Sequence, residues 1–177
     1  AEQSGLINEV GLWVLESACQ QLLDWQRAGH DYSRSLNVSG KQIPLGLSPE
    51  AVAETVQRYG IAPEKLALEI TEGILLSNID DAVNWLRAIH DIGLQVYLDD
   101  FGTGYSSLSY LKRFPLETLK IDKSFVQDMQ HDSNGRSLVQ AIIAMAHSLG
   151  LNVVAEGVET EGHLQILRDM GCHFAQG

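Results

Sequence analysis

The 177 residues suffice for one domain with a sizeable core, and 45% of them are hydrophobic. Twelve Lys and Arg against 23 Asp and Glu leave a formal net charge of −11, which argues against a nucleic-acid duplex or an anionic membrane as the main partner, since both are held by basic patches. No run approaches the ~18 consecutive apolar residues of a membrane span, and the opening AEQSGLINEV has no signal-peptide pattern.

In chain order, Gly5 to Gly29 forms a long amphipathic stretch with Leu6, Val10, Trp13, Val14, Leu22 and Trp25 near helical spacing. The short run SLNVSG reads as a strand. A helix follows from Ser48 as N-cap and Pro49 at its first position to Gly60. KLALEITE is the next strand, and a helix runs from its cap Asn78 to Gly93. LQVYLDD is a strand followed by a short helix from about Ser107 to Phe114. Then come the strand TLKIDKS, a helix within Asp132 to Gly150, the strand NVVAEGV, a helix capped by Thr160 and closed by Gly171, and a last strand-like run, HFAQG.

Six strand-like runs, each separated from the next by a helix, indicate parallel strands and an α/β class. The runs end in turn at Asn37, Glu69, Asp99 with Asp100, Lys120, Glu156 and Gln176, about one βα unit apart. A (β/α)8 barrel gathers the C-terminal ends of all its strands at one mouth, whereas a doubly wound open sheet brings together only those at its switch point. Polar residues at six successive strand ends favour the barrel.

Four carboxylates and the amide of Asn37 at one mouth make an oxygen-only cation site, suited to Mg²⁺, Mn²⁺ or Ca²⁺. The adjacent Asp99 and Asp100 suit two ions about 3.5–4 Å apart, which would polarise a phosphoryl group and activate a water. Lys120 could position that water or steady a phosphate oxygen, and its protonation state is open, because carboxylates and metal ions push it in opposite directions. Taken singly, each residue has a plainer reading. Asn37 in NVS suits a turn, Asp100 before FGTG suits a turn, Lys120 suits a snorkelling side chain, and Glu72 suits a solvated end. Glu69 and Glu72, three apart on one strand, would face opposite sides. Only their joint occurrence at successive strand ends points to a site. Cys19 and Cys172 lie far apart and read as buried thiols in a reducing compartment, hence the cytoplasm, and the six histidines show no ligand spacing.

The segments NVSGKQ, LEITE, LDDFGTGYSSLSYLKRFPLETLKIDKSF, AHSLGLNVVAEGVET and GCHFAQG together resemble the successive motifs of the EAL domain, the bacterial cyclic-di-GMP phosphodiesterase. The resemblance implies a modified TIM barrel that hydrolyses one phosphodiester bond of cyclic-di-GMP to give linear pGpG, with two Mg²⁺ or Mn²⁺ ions as cofactors and Ca²⁺ inhibitory. It implies that Asn37, Glu69, Asp99, Asp100 and Glu156 are metal ligands, with Asp99 bridging the two ions. Lys120 positions the water, and Glu156 also serves as general base. Glu72 supports the DDFGTGYSS loop, whose residues Asp100 to Ser107 help build a homodimer interface. Glu159 and Gln176 match further active-site positions. The family's partners are cyclic-di-GMP and, in the same polypeptide, diguanylate-cyclase-like or sensory domains, through which a full-length protein can be membrane-anchored.

The Glu-Ala-Leu strand that names the family, with the arginine after it, should precede the first helix, and the chain opens beyond it; it also stops at AQG, before the family's final strand. With six βα units against the eight strands of a closed barrel, the chain is expected to be a piece, over residues 1–177, of a longer protein. Two other functions remain to be weighed. One is a catalytically inactive cyclic-di-GMP receptor or protein-interaction module of the same fold. The other is an enolase-type barrel that uses acids, a lysine base and a metal to abstract a proton.

Overall fold

The computed structural model describes residues 6–43, 46–102, 111–129 and 132–177, and side chains within them except at 76, 77 and 133. The expected helix from about Ser107 to Phe114 and the loop through residues 103–110 lie for the most part outside the described residues. Two compact units arise, Ala1–Val96 with Arg113–Pro115, and Tyr97–Lys112 with Leu116–Gly177.

The first unit begins with helix α1, Ile7–Arg27, which buries Leu15, Ala18, Cys19 and Leu22. That stripe has the i, i+3, i+4, i+7 spacing of a core-facing helix. It is not the face expected from the sequence. Leu6, Val10 and Trp13 are 51%, 42% and 66% exposed, and of the six expected residues only Leu22 is buried. The segment LWVL places apolar side chains around most of the helix, so periodicity admits more than one stripe; the small Ala18 and Cys19 permit the closer approach.

Strand β1, Arg34–Asn37, pairs in parallel with β2, Leu66–Thr71, with Asn37 beside Glu69. Between them lies α2, Pro49–Tyr59, where the Ser48 hydroxyl accepts the Ala51 N–H at 3.2 Å and Pro49 opens the first turn, as the sequence indicates. Two helices follow β2: α3, Glu72–Ser77, and α4, Ile79–Ile92. Helix α4 buries Ala82, Val83, Trp85, Leu86 and Ile89, and the buried Trp85 indole N–H donates to the Leu47 carbonyl at 2.7 Å. Asn78 stands at the N-cap of α4 as expected, but its side chain caps no backbone N–H; its amide donates to Asp81 instead.

The second unit carries the acid-bearing end of β3, Gln95–Phe101, then β4, Thr118–Ile121, β5, Asn152–Glu156, and β6, Phe174–Gln176, each parallel to the next. All four residues of β4 are buried, so this strand is covered on both faces, as in parallel sheets flanked by helices. Among the described residues this unit also contains the helices α5, Lys123–Asp128, α6, Ser133–Ser148, and α7, Glu161–Asp169. The run TLKIDKS is therefore a shorter strand than expected. It stops at Ile121, and Asp122 caps α5 by accepting the Ser124 N–H at 2.9 Å. Hydrogen bonds from Ser124, hydroxyl first, hold the Asp122 carboxyl below its usual range.

Both cysteines are free. Cys19 is buried, and burial pushes its thiol up to about 11. Cys172 is only half-buried, unlike the expectation, because the short exposed β6 that follows it gives little cover; desolvation still raises its thiol. Among the described residues no helix is long and apolar enough to cross a membrane.

Candidate active site

Two adjacent residues of a regular strand point to opposite faces, so Asp99 and Asp100 can share a site only if the strand is broken between them. It is. Leu98 pairs with Leu119 and Phe101 with Ile121, so two acids on β3 stand opposite the single Lys120 on β4. This is a β-bulge, which re-aims a side chain. Asp100 takes a left-handed φ of 53°, a conformation that aspartate tolerates better than most residues.

The carboxylate oxygens of Asp99, Asp100 and Glu156 consequently lie within 4.8 Å of one another, and no other group of three His, Cys, Asp or Glu side chains does so among the described residues. Lys120 is inserted among them and is only 5% exposed. Its Nζ stands 3.0 Å from Asp99 Oδ1 and 2.7 Å from Glu156 Oε1. The register explains the reach. Lys120 pairs with Val154, and period two puts Glu156 on Val154's face of the strand, one repeat further along. Asp99 Oδ1 also accepts the Asp100 N–H at 3.0 Å, which fixes the rotamer of that carboxylate.

Three carboxylates and one ammonium meet in this partly buried space. All-oxygen donors of this charge fit a hard divalent ion.

Glu156 is followed by Gly157 at φ +69°, where a Cβ would fall 2.7 Å from Lys123 Cβ. Gly102, just beyond the bulge, has φ +100°, and a Cβ there would meet Phe125 at 2.8 Å. Both acid-bearing strand ends thus turn away against α5, the helix the sequence reading did not find. Its signal was Asp122-x-Ser124, a side-chain cap directly after an apolar run. Gly157→Ala combines a disfavoured backbone with a steric contact. It is expected to lower unfolding stability by about 1 kcal/mol or more in urea denaturation.

The remaining expected residues are distributed as follows. Gln176 is the register partner of Glu156 on β6 and is exposed. Glu159 is exposed in the loop after β5 and stands outside the acid cluster. In the first unit, Asn37 and Glu69 are neighbours in the β1–β2 ladder, Asn37 exposed and Glu69 buried. The turn after Asn37 is fixed by a capping box. Ser39 caps the 3₁₀ turn Gly40–Gln42, Gln42 Oε1 accepts the Ser39 N–H at 2.9 Å, and Gln42 Nε2 donates to Ile7 O at 3.3 Å. This support was not foreseen, although Ser-x-x-Gln is its sequence mark.

Glu72 is not on the strand with Glu69. β2 ends at Thr71 and Glu72 opens α3, where a first-turn acid is favoured by the helix dipole. It is buried, and neither carboxylate oxygen has a hydrogen-bond partner among the described residues.

A repeated βα chain with carboxylates and a lysine gathered at strand C-terminal ends defines a protein of the α/β class with an acidic strand-end cluster. The particular family follows from comparison. The EAL domain family model matches residues 1–177, and the chain belongs to that family. It is 40% identical over 177 residues to the signaling protein YkoW of Bacillus subtilis, covering 100% of this chain and 22% of that protein. It is also 40% identical over 178 residues to the bifunctional diguanylate cyclase/cyclic di-GMP phosphodiesterase MucR of Pseudomonas aeruginosa, covering 100% of this chain and 26% of that one. The chain thus spans about a quarter of the length of these curated relatives. Among solved structures, the c-di-GMP complex of the PaMucR phosphodiesterase matches with a TM-score of 0.95 at 40% identity, over 100% of this chain and 72% of that one. The fold is accordingly α/β of the modified TIM (β/α)8 type, with six strands among the described residues. Family membership removes the enolase-type alternative.

Proposed function

We propose that this chain is the larger part of a metal-dependent phosphodiesterase domain that hydrolyses cyclic-di-GMP to linear pGpG. The observation that carries the proposal is the Asp99–Asp100–Glu156 cluster with Lys120 inside it, in a chain of the EAL family. Phosphodiesterase relatives at this level of identity support the same reading.

Asp99, Asp100 and Glu156 would hold Mg²⁺ or Mn²⁺, and Asn37 and Glu69 are proposed as further ligands. The ions supply positive charge to the phosphoryl oxygens and acidify the attacking water. The chain's own residues do the rest. Glu156 accepts a proton from that water, and the Lys120 ammonium orients it. The water oxygen bonds to phosphorus as the P–O3′ ester bond breaks, and the leaving 3′ oxygen takes a proton from solvent, to which Glu156 returns the one it accepted. One water is consumed and one phosphodiester remains. Glu159 and Gln176 flank the bound nucleotide. Ca²⁺, larger and less strict in geometry, would occupy the site without supporting turnover.

Glu72 is proposed to hold the loop that follows β3, and that loop to take part in a homodimer. The surrounding protein is proposed to carry diguanylate-cyclase-like or sensory domains, with this domain in the cytoplasm, where the free thiols are at home.

The test is incubation of the full-length protein with cyclic-di-GMP and Mn²⁺, followed by chromatography. Expected is a single product, pGpG, absent when EDTA replaces the metal. Tight nucleotide binding without product would establish the receptor reading instead.

A further inference from the structure

A buried lysine paired with two carboxylates is ordinarily a structural ion pair. Here the two carboxylates are also two of the three that face one another closely enough to hold a cation. Lys120 Nζ therefore already occupies part of the coordination space of Asp99 and Glu156. Its contacts are short, and they engage Asp99 Oδ1 together with the Asp100 N–H, so this oxygen has two donors before any ion arrives. An ammonium in that position neutralises one of the three charges and opposes the approach of a dication.

We propose that Lys120 is the resident counter-cation of this site, holding Asp99 and Glu156 together in the metal-free protein and being displaced from one or both when a divalent ion enters. The inference rests on the metal-site reading above and deepens it, because it makes Lys120 a positioning residue that sets how tightly the ion is held. Metal affinity is weakened by the neighbouring positive charge, and the metal-free strand ends are kept from repelling one another. Two consequences of opposite sign follow. Removing the charge should loosen the protein without metal and tighten its grip on metal. A lysine serving only as structural cement would give the first effect without the second.

The experiment is titration of Mn²⁺ into the full-length protein and its Lys120→Met variant, by calorimetry, with melting temperatures recorded in the presence and absence of Mn²⁺. The metal-free melting temperature of the variant is expected to fall by ~5 °C or more, because a buried pair loses one partner. Its Mn²⁺ dissociation constant is expected to fall at least ~tenfold, as a nearby like charge is removed. Should the variant fail to fold without metal, the wild type supplies the second measurement. The Lys120 Cε resonance, assigned with Lys120→Arg, should move as Mg²⁺ saturates the site. Equal or weaker Mn²⁺ binding by the variant, or an unmoved resonance while Mg²⁺ binds, overturns the inference alone. A wild type that binds no Mn²⁺ at all overturns the metal-site reading and this inference with it.

Discussion

Asp99→Asn is expected to lower the rate of cyclic-di-GMP hydrolysis by about a thousandfold. The change keeps the side chain's volume and its ability to accept the Asp100 N–H, so the bulge has no steric reason to rearrange. What it removes is charge. Asp99 is the most buried of the three clustered acids, and Lys120 lies 3.0 Å away on its Oδ1. As a proposed ligand it would supply charge that holds the metal at the reacting phosphoryl group. An ion at a reacting phosphoryl group is worth several kcal/mol, and each 1.36 kcal/mol is tenfold in rate. Steady-state turnover beside a melting curve checks this, and the melting temperature should change far less than the rate.

Glu156→Gln is the second large effect. A general base contributes on the order of 10²–10⁴-fold, and the glutamine variant should lose activity within that range. Its side chain is about one-fifth exposed, and the amide oxygen of glutamine can still accept from Lys120, as Glu156 Oε1 does at 2.7 Å. At Mn²⁺ concentrations that saturate the variant, what is lost is the proton-transfer role, so kcat should fall while the dissociation constant for cyclic-di-GMP stays within a few-fold. If affinity fell as steeply as rate, Glu156 would be a nucleotide-binding group and not the base.

The strand-end position of the candidate residues can be read from the sequence because polar residues stop apolar runs. Asn37, Glu69, Asp99, Lys120, Glu156 and Gln176 each end or nearly end a strand, as their positions after buried segments suggest. The device that lets Asp99 and Asp100 cooperate is not in the pattern. It lies in a two-against-one register and a positive φ at a non-glycine residue, which depend on how β4 docks. Glu72 was placed on a strand because LEITE alternates and nothing marks Thr71 as its last residue; the helix start is set by the apolar residues that follow. The buried face of α1 differs from the expected one for a related reason. Apolar side chains occur around most of that helix, and close packing selects the side bearing Ala18 and Cys19. Helix α5 escaped notice because six residues are too few for a periodic signal, although its cap was visible.

The most direct test of the account is turnover of cyclic-di-GMP by full-length protein stripped of metal, then supplied with Mn²⁺, with Asp99→Asn run in parallel. The account predicts no product from the stripped protein, pGpG from the wild type once Mn²⁺ is restored, and about a thousandfold less from the variant. Product formed without metal, or equally by both proteins, would contradict the assignment of the strand-end acids as a metal-dependent catalytic site.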